Sequence, residues 1–178
     1  MRVLIIRHGE TDWNKKRLIQ GTIDIPLNDV GKSQAKMAHD ALENENIDAV
    51  FASPLIRARE TAEIVVGERN LPIMYDKRIA ERKFGVAEGM NIDEIDFDAT
   101  WLPNRPPVYE GMETFEEIYE RIADFFDEIY KDYSDKTVLV VTHGGVSIVC
   151  GYYFCGPPKS DRSEYFCRNC VVKEYIKE

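Results

Sequence analysis

Two histidines hold matching positions in this chain. Val3-Leu4-Ile5-Ile6 runs directly into Arg7-His8-Gly9, and Val138-Leu139-Val140-Val141 runs into Thr142-His143-Gly144-Gly145. The chain has three histidines, so two of the three end an apolar run beside glycine. An imidazole at such a place can act as a nucleophile or move a proton near neutral pH. An arginine next to it supplies a planar fork of N–H donors suited to an oxyanion. The competing reading is that each histidine caps its strand and bonds a nearby carbonyl. That account fits one such histidine better than a matched pair.

Further charged residues are candidates for the same chemistry. Arg57 follows Ser53-Pro54 within the first turns of a helical segment. It would lie near a strand end and near the positive end of a helix dipole. Its spacing equally allows a surface salt bridge to Glu60 or Glu63. Glu81 and Glu88 stand in a glycine-broken stretch and are candidate acids. Asp96-Phe97-Asp98-Ala99-Thr100 fits a D-x-D-x-T nucleophile pattern, but that pattern needs a buried apolar strand before it. Met90 to Ile95 is not one, so a solvated acidic loop is the better reading.

These residues need elements to position them. Short runs rich in β-branched residues and closed by glycine read as buried parallel strands. Val3–Ile6 and Val138–Val141 are two, and Ile47–Ala52 and Leu71–Tyr75 are two more. Ligands of open α/β sheets bind beyond the carboxyl ends of such strands, where both histidines fall. Thr11–Lys16 can start a short helix. Residues 17–28 read as a loop broken by Gly21 and Pro26. Asn28 can cap a helix to about Leu42, with an apolar stripe of Val30, Met37, Ala38, Ala41 and Leu42 and a weak first turn at Gly31. His39 on that helix reads as exposed. Ser53 can cap, and Pro54 can open, a helix through Val66.

Residues 90–112 are irregular, with prolines, Trp101, Arg105 and Tyr109 as candidate walls of a pocket. Glu113–Tyr133 has helical spacing of Phe115, Ile118, Ile122, Phe125, Phe126 and Ile129. A helix from about Gly145 to Phe154 follows the fourth strand. Tyr165-Phe166 and Val171–Ile176 read as closing strands at the sheet edge. With 178 residues the chain is expected to form one domain over 1–178.

Composition narrows the classes. Hydrophobic content of 44% and charged content of 31% are those of an ordinary globular protein. A net charge of -9 argues against general nucleic-acid binding, which needs a basic face. No apolar run approaches the ~20 residues of a membrane span, and the N-terminal apolar run is too short for a signal peptide. A cytoplasmic location is expected. Cys167-x-x-Cys170 has a spacing used by metal and redox sites. It sits between strand-like segments rather than opening a helix, and Cys150 and Cys155 fit an apolar core. No metal site is expected, and reduced thiols suit the cytoplasm.

Read together, the motifs resemble the histidine phosphatase superfamily, which includes the cofactor-dependent phosphoglycerate mutases and many small phosphatases. Arg7-His8-Gly9-Glu10-Thr11-x-x-Asn14 resembles its opening motif. Gln20-Gly21-x-x-Asp24-x-Pro26-Leu27 and Gly31-x-x-Gln34-Ala35 resemble the segments after it. Ser53-Pro54-Leu55-x-Arg57-Ala58-x-Glu60-Thr61, Glu81-x-x-Phe84-Gly85-x-x-Glu88-Gly89 and Thr142-His143-Gly144-Gly145 complete the order.

The resemblance implies a three-layer α/β/α fold, with a mostly parallel central sheet flanked by helices. It implies a phosphohistidine on His8, with Glu81 as proton donor. Arg7, Arg57 and His143 would hold the phosphoryl oxygens, and Asn14, Gln20, Gly21 and Gly144 would assist. The chemistry is sound in itself. Phosphoryl transfer is positioning plus electrostatics, and guanidinium charge can stand where other enzymes use a metal. A phosphate dianion beside Glu81 would favour the protonated acid.

The expected activity is hydrolysis of a small phosphorylated metabolite without a cofactor. The alternatives are a mutase, which would need a 2,3-bisphosphoglycerate primer, and a non-catalytic binder of phosphorylated ligands. The short 90–112 stretch, with Arg105 its one arginine, and Gly111-x-Glu113 favour the phosphatase. Glu81-Arg82-Lys83-Phe84-Gly85 resembles the mutase motif. The resemblance fixes no oligomeric state.

Overall fold

The alternation of apolar residues in two strands builds both halves of the core. The computed structural model describes residues 1–177. Strand β1 (Arg2–Arg7) pairs in parallel with β4 (Thr137–Thr142), with Ile6 opposite Val141 and Arg7 opposite Thr142. Successive side chains on a strand point to opposite faces. Val3, Ile5, Val138 and Val140 therefore meet Ile118, Ile122, Phe125 and Phe126 of helix α4 (Phe115–Tyr133) and Val149 of α5 (Gly144–Cys155). Leu4, Ile6, Leu139 and Val141 meet Ala35 and Ala38 of α2 (Asp29–Ala41) and Ala58, Ala62 and Val65 of α3 (Ile56–Val66). The result is three layers, helices on both faces of one sheet, as expected.

With β2 (Ala49–Ala52), β3 (Ile73–Tyr75) and β5 (Val172–Ile176), the sheet has the order β3-β2-β4-β1-β5. Strands β2 and β3 are parallel to the centre, and β5 closes the edge antiparallel to β1. The short helix α1 (Asp12–Lys15) follows β1 and is held by a capping box between Thr11 and Asn14. Thr114 and Glu117 form a second capping box that starts α4. Residues 90–112 carry only short 3-10 turns, at Ile92–Glu94 and Ala99–Trp101. Among the described residues, no helix is long and apolar enough to cross a membrane.

Several local expectations are corrected. Val30 and Met37 are 53% and 62% exposed and Ala41 is exposed too, so they are not the buried face of α2. That face is Gly31, Ala35, Ala38 and the following Leu42. Small residues let α2 lie close to the alanines of α3. Gly31 is a contact point rather than a weakness, since a Cβ on Gly9 would meet the Gly31 carbonyl oxygen at 2.4 Å. The loop after His8 thus docks on the start of α2.

His39 is half-buried, and its Nδ1 donates to the Val65 carbonyl at 2.9 Å, tying α2 to α3. Ser53 does not cap α3. The first turn is served by Asp24, which accepts from the Ile56 amide at 2.6 Å. Tyr165-Phe166 is not a strand. It follows a 3-10 turn at Arg162–Glu164 that Asp161 caps, and Tyr165 packs on Gly151. Cys155 is exposed at the end of α5, whereas Cys150, Cys167 and Cys170 are buried. Burial pushes the Cys170 thiol up to about 12, which leaves it protonated and unreactive.

Candidate active site

Beyond the carboxyl ends of β1 and β4 lies a cavity of about 280 Å³. Arg7, His8, Asn14, Gln20, Gly21, Arg57, Glu81 and Gly144 all line it. His143 does not reach its surface. It sits fully buried behind His8, with ring centroids 5.2 Å apart. The parallel register explains the pairing. The His8 amide donates to the Thr142 carbonyl at 2.9 Å, so the ladder continues to the two histidines.

Hydrogen bonds assign the His8 tautomer. Its Nδ1 is 2.7 Å from the Gly9 carbonyl oxygen, which can only accept. Nδ1 therefore carries the proton and Nε2 keeps its lone pair. Asn169 donates to the His8 carbonyl at 2.7 Å and anchors the strand end from across the β5 connection. His143 Nε2 lies 2.7 Å from the Ser53 hydroxyl, while its Nδ1 is buried without a partner. Ser53 also accepts from the Leu55 amide, so its hydroxyl joins the start of α3 to the His143 ring.

The guanidinium groups are unusual for their lack of anions. Arg57 is fully buried, and it donates to the Ile23 and Gly21 carbonyls at 2.8 Å each. Burial lowers it to about 10, still charged at neutral pH. The salt-bridge reading with Glu60 or Glu63 fails, because Arg57 faces the cavity and Glu60 accepts from the Leu27 amide instead. Arg7 lies over the Phe166 ring at 4.8 Å. Among the described residues neither Arg7 nor Arg57 has a carboxylate ion-pair partner. The Nε atoms of both are buried and unpartnered. Two such charges are costly unless an anion joins them.

Glu81 is held at the rim by two amides. Its oxygens accept from Arg82 N at 2.9 Å and Gly145 N at 3.2 Å. A Cβ on Gly145 would meet Glu81 Oε1 at 2.5 Å, so a side chain there would displace the carboxylate. Glu88, the other candidate acid, is a strut. It accepts from the Thr22 and Phe84 amides at 3.0 Å each and joins the two loops.

Three expectations for the walls divide. Trp101 lines the cavity, but Arg105 is exposed in a proline-rich turn and Tyr109 packs on the core. Phe97, Phe166, Leu18 and Ile92 take their place. Ser53 and Asn169, which orient the two histidines, were not singled out for that role. Their only sequence signal is position, Ser53 at the end of β2 and Asn169 just before β5.

The family model for the histidine phosphatase superfamily (branch 1) matches residues 3–175. This chain belongs to that superfamily. The uncharacterized phosphatase PhoE of Bacillus subtilis is 39% identical over 144 residues, spanning 80% of this chain and 71% of the relative. Phosphoserine phosphatase 1 of Hydrogenobacter thermophilus is 29% identical over 182 residues, covering 98% of this chain and 84% of its own. The structure of YhfR from Bacillus stearothermophilus superposes with a TM-score of 0.86 at 32% identity, over 97% of this chain and 89% of that one.

Burial of the two histidines has a measurable consequence for stability. Both titrate well below the usual 6.5. Desolvation is the largest cause, followed by Arg57, with Arg7 adding to it. The unfolded chain therefore gains protons on these rings as pH falls through about 6.5, while the folded chain does not. Their contribution is complete above that pH and is lost below it, at up to about 1.4 kcal/mol per pH unit per ring. Urea midpoints should fall between pH 7.5 and pH 5.5. An unchanged midpoint over that range would contradict the neutral, buried state of both rings.

Proposed function

We propose that this chain is a phosphatase that hydrolyses a small phosphate monoester through His8, without a metal ion. One observation carries the reading: the fully buried Arg57 and the half-buried Arg7, both with buried, unpartnered Nε atoms and no anionic partner among the described residues, flank an imidazole nitrogen whose lone pair is free. Arg7 and Arg57 hold the phosphoryl oxygens, helped by the Asn14 and Gln20 amides and the backbone at Gly21 and Gly144, while the buried His143 ring backs His8 and does not reach the cavity surface. The arginines also keep His8 neutral, which a nucleophile requires.

His8 Nε2 attacks phosphorus, the ester P–O bond breaks, and Glu81 gives its proton to the departing oxygen. Nδ1–H stays on the Gly9 carbonyl and steadies the positive ring. Water then attacks the phosphohistidine, Glu81 takes its proton, and inorganic phosphate leaves with His8 restored.

The mutase alternative is weaker. It rests on the Glu81-Arg82-Lys83-Phe84-Gly85 motif, and the arginine of that motif is fully buried and does not line the cavity. It binds the Glu113 and Thr100 carbonyls and lies 4.6 Å over the Trp101 ring, so it pins the wall. A mutase must also retain a bisphosphate intermediate, and residues 90–112 place no cation in the cavity. Supplied with 3-phosphoglycerate and a bisphosphoglycerate primer, the protein should release phosphate rather than isomerise the ester. Rapid isomerisation with little free phosphate would reverse the assignment.

A further inference from the structure

Outside the phosphoryl cradle the cavity is apolar. Its walls are Leu18, Ile92, Phe97, Trp101, Ile148 and Phe166. Phe97 stacks on Phe84 at 6.0 Å and meets Trp101 edge-on at 6.3 Å, so the aromatic wall is a packed unit. One charged side chain lining the cavity lies outside the cradle and the proton donor: Arg17. It is taken by Asp93, with Nε to Oδ2 at 3.0 Å and Nη2 to Oδ1 at 2.6 Å.

Both partners are fixed by the backbone. The Arg17 carbonyl accepts from Ile92 N at 2.9 Å, and Asp93 N donates to Asn91 Oδ1 at 2.9 Å. Arg17 also holds a left-handed φ of 59°, a conformation that favours glycine or asparagine. An arginine kept there places its guanidinium at the rim.

We infer that the site selects phosphate esters of uncharged alcohols bearing an apolar or aromatic group, and that Asp93 excludes alcohols that carry a carboxylate. The inference rests on the phosphatase reading above. An exposed ion pair is weak in itself, but the effect does not depend on its strength. Asp93 lies beside Arg17 whether the pair is closed or open, so its charge offsets that of the one lining cation outside the cradle, and an incoming carboxylate meets no net positive charge there. A carboxylate in the pocket would otherwise face hydrocarbon, which is costly. An aromatic tail would bury its surface against the wall. The cavity lies just below the ~300–1,000 Å³ of ordinary ligand sites, which suits a small ester.

The test compares esters whose leaving groups are equally basic, so that chemistry does not mimic recognition. Primary alkyl phosphates serve: 3-phenylpropyl phosphate and 3-phosphoglycerate, with the phosphate ester of 3-hydroxypropanoate as a second anionic arm. For the wild type, kcat/KM should favour the phenylpropyl ester by about tenfold or more. Asp93→Asn should raise kcat/KM for both carboxylated esters about fivefold, less at high salt. It should change the phenylpropyl ester by less than twofold.

Equal or better turnover of the carboxylated esters by the wild type would overturn the inference and leave the phosphatase reading intact. So would an Asp93→Asn variant with unchanged ratios. Failure to turn over any ester, a generic aryl phosphate included, would overturn the phosphatase reading itself.

Discussion

His8→Ala is expected to lower the turnover of every phosphate ester by at least about a thousandfold. The cavity wall offers no serine, threonine or cysteine that could take over as nucleophile. His143 is the nearest other imidazole, but it is buried behind the wall and its Nε2 is engaged by Ser53. The wild type should form a phosphoenzyme within one turnover, labile in acid and stable in alkali as expected for a phosphorus–nitrogen bond. The variant should form none. Binding of inorganic phosphate should survive within about tenfold, because Arg7 and Arg57 supply most of the attraction. Fold integrity should survive too, since the ladder bond from residue 8 to Thr142 is a backbone bond. Labelled ester, rapid quenching, a phosphate titration and a circular dichroism spectrum read these four outcomes. Retained turnover, or a phosphoenzyme in the variant, would remove His8 from the mechanism.

What the sequence made legible was what obeys short-range rules. The runs before His8 and His143 are β-branched, unbroken and closed by glycine, and a parallel sheet is the structure that buries such runs on both faces. Helix α4 was legible because Phe115, Ile118, Ile122, Phe125, Phe126 and Ile129 recur at helical spacing. Arg57 was half legible. Its place after Ser53-Pro54 was clear, but the choice between a surface ion pair and the cavity depends on the loop at Gly21–Ile23, which spacing does not locate.

Other features depend on distant partners. Hydrophobicity named Ala38 and Leu42 of the buried face of α2 but also Val30, Met37 and Ala41, whereas close helix packing chose Gly31 and Ala35 in place of those three, because size decides when two helices approach closely. His39 found its acceptor at the end of another helix. Phe166 and Asn169 lie in a segment with no periodicity, and they reach the site only because β5 folds back beside β1. Arg82 lay inside a recognisable motif, but nothing in its neighbours said that it would turn inward to hold Thr100 and Glu113.

Glu81→Gln should separate the two chemical steps. For alkyl phosphates, whose alkoxide cannot leave unprotonated, kcat/KM is expected to fall by about 10²–10⁴-fold. For p-nitrophenyl phosphate the leaving phenolate needs no proton, so the first step should keep nearly its full rate. The second step still requires a base to activate water, and glutamine is not one. The phosphohistidine on His8 should then accumulate, giving a burst of nitrophenol equal to the enzyme present and a slow steady state after it. The substitution is not silent structurally. Both Glu81 oxygens accept from amides, at Arg82 and Gly145, and a glutamine can offer an oxygen to one of them only. Glu81→Asp, which keeps the acid but shortens its reach, controls for that loss. It should recover part of the alkyl rate and abolish the burst. If Glu81→Gln instead slows all esters equally, with no burst and no dependence on the leaving group, then Glu81 holds the start of α5 in place and another group moves the proton.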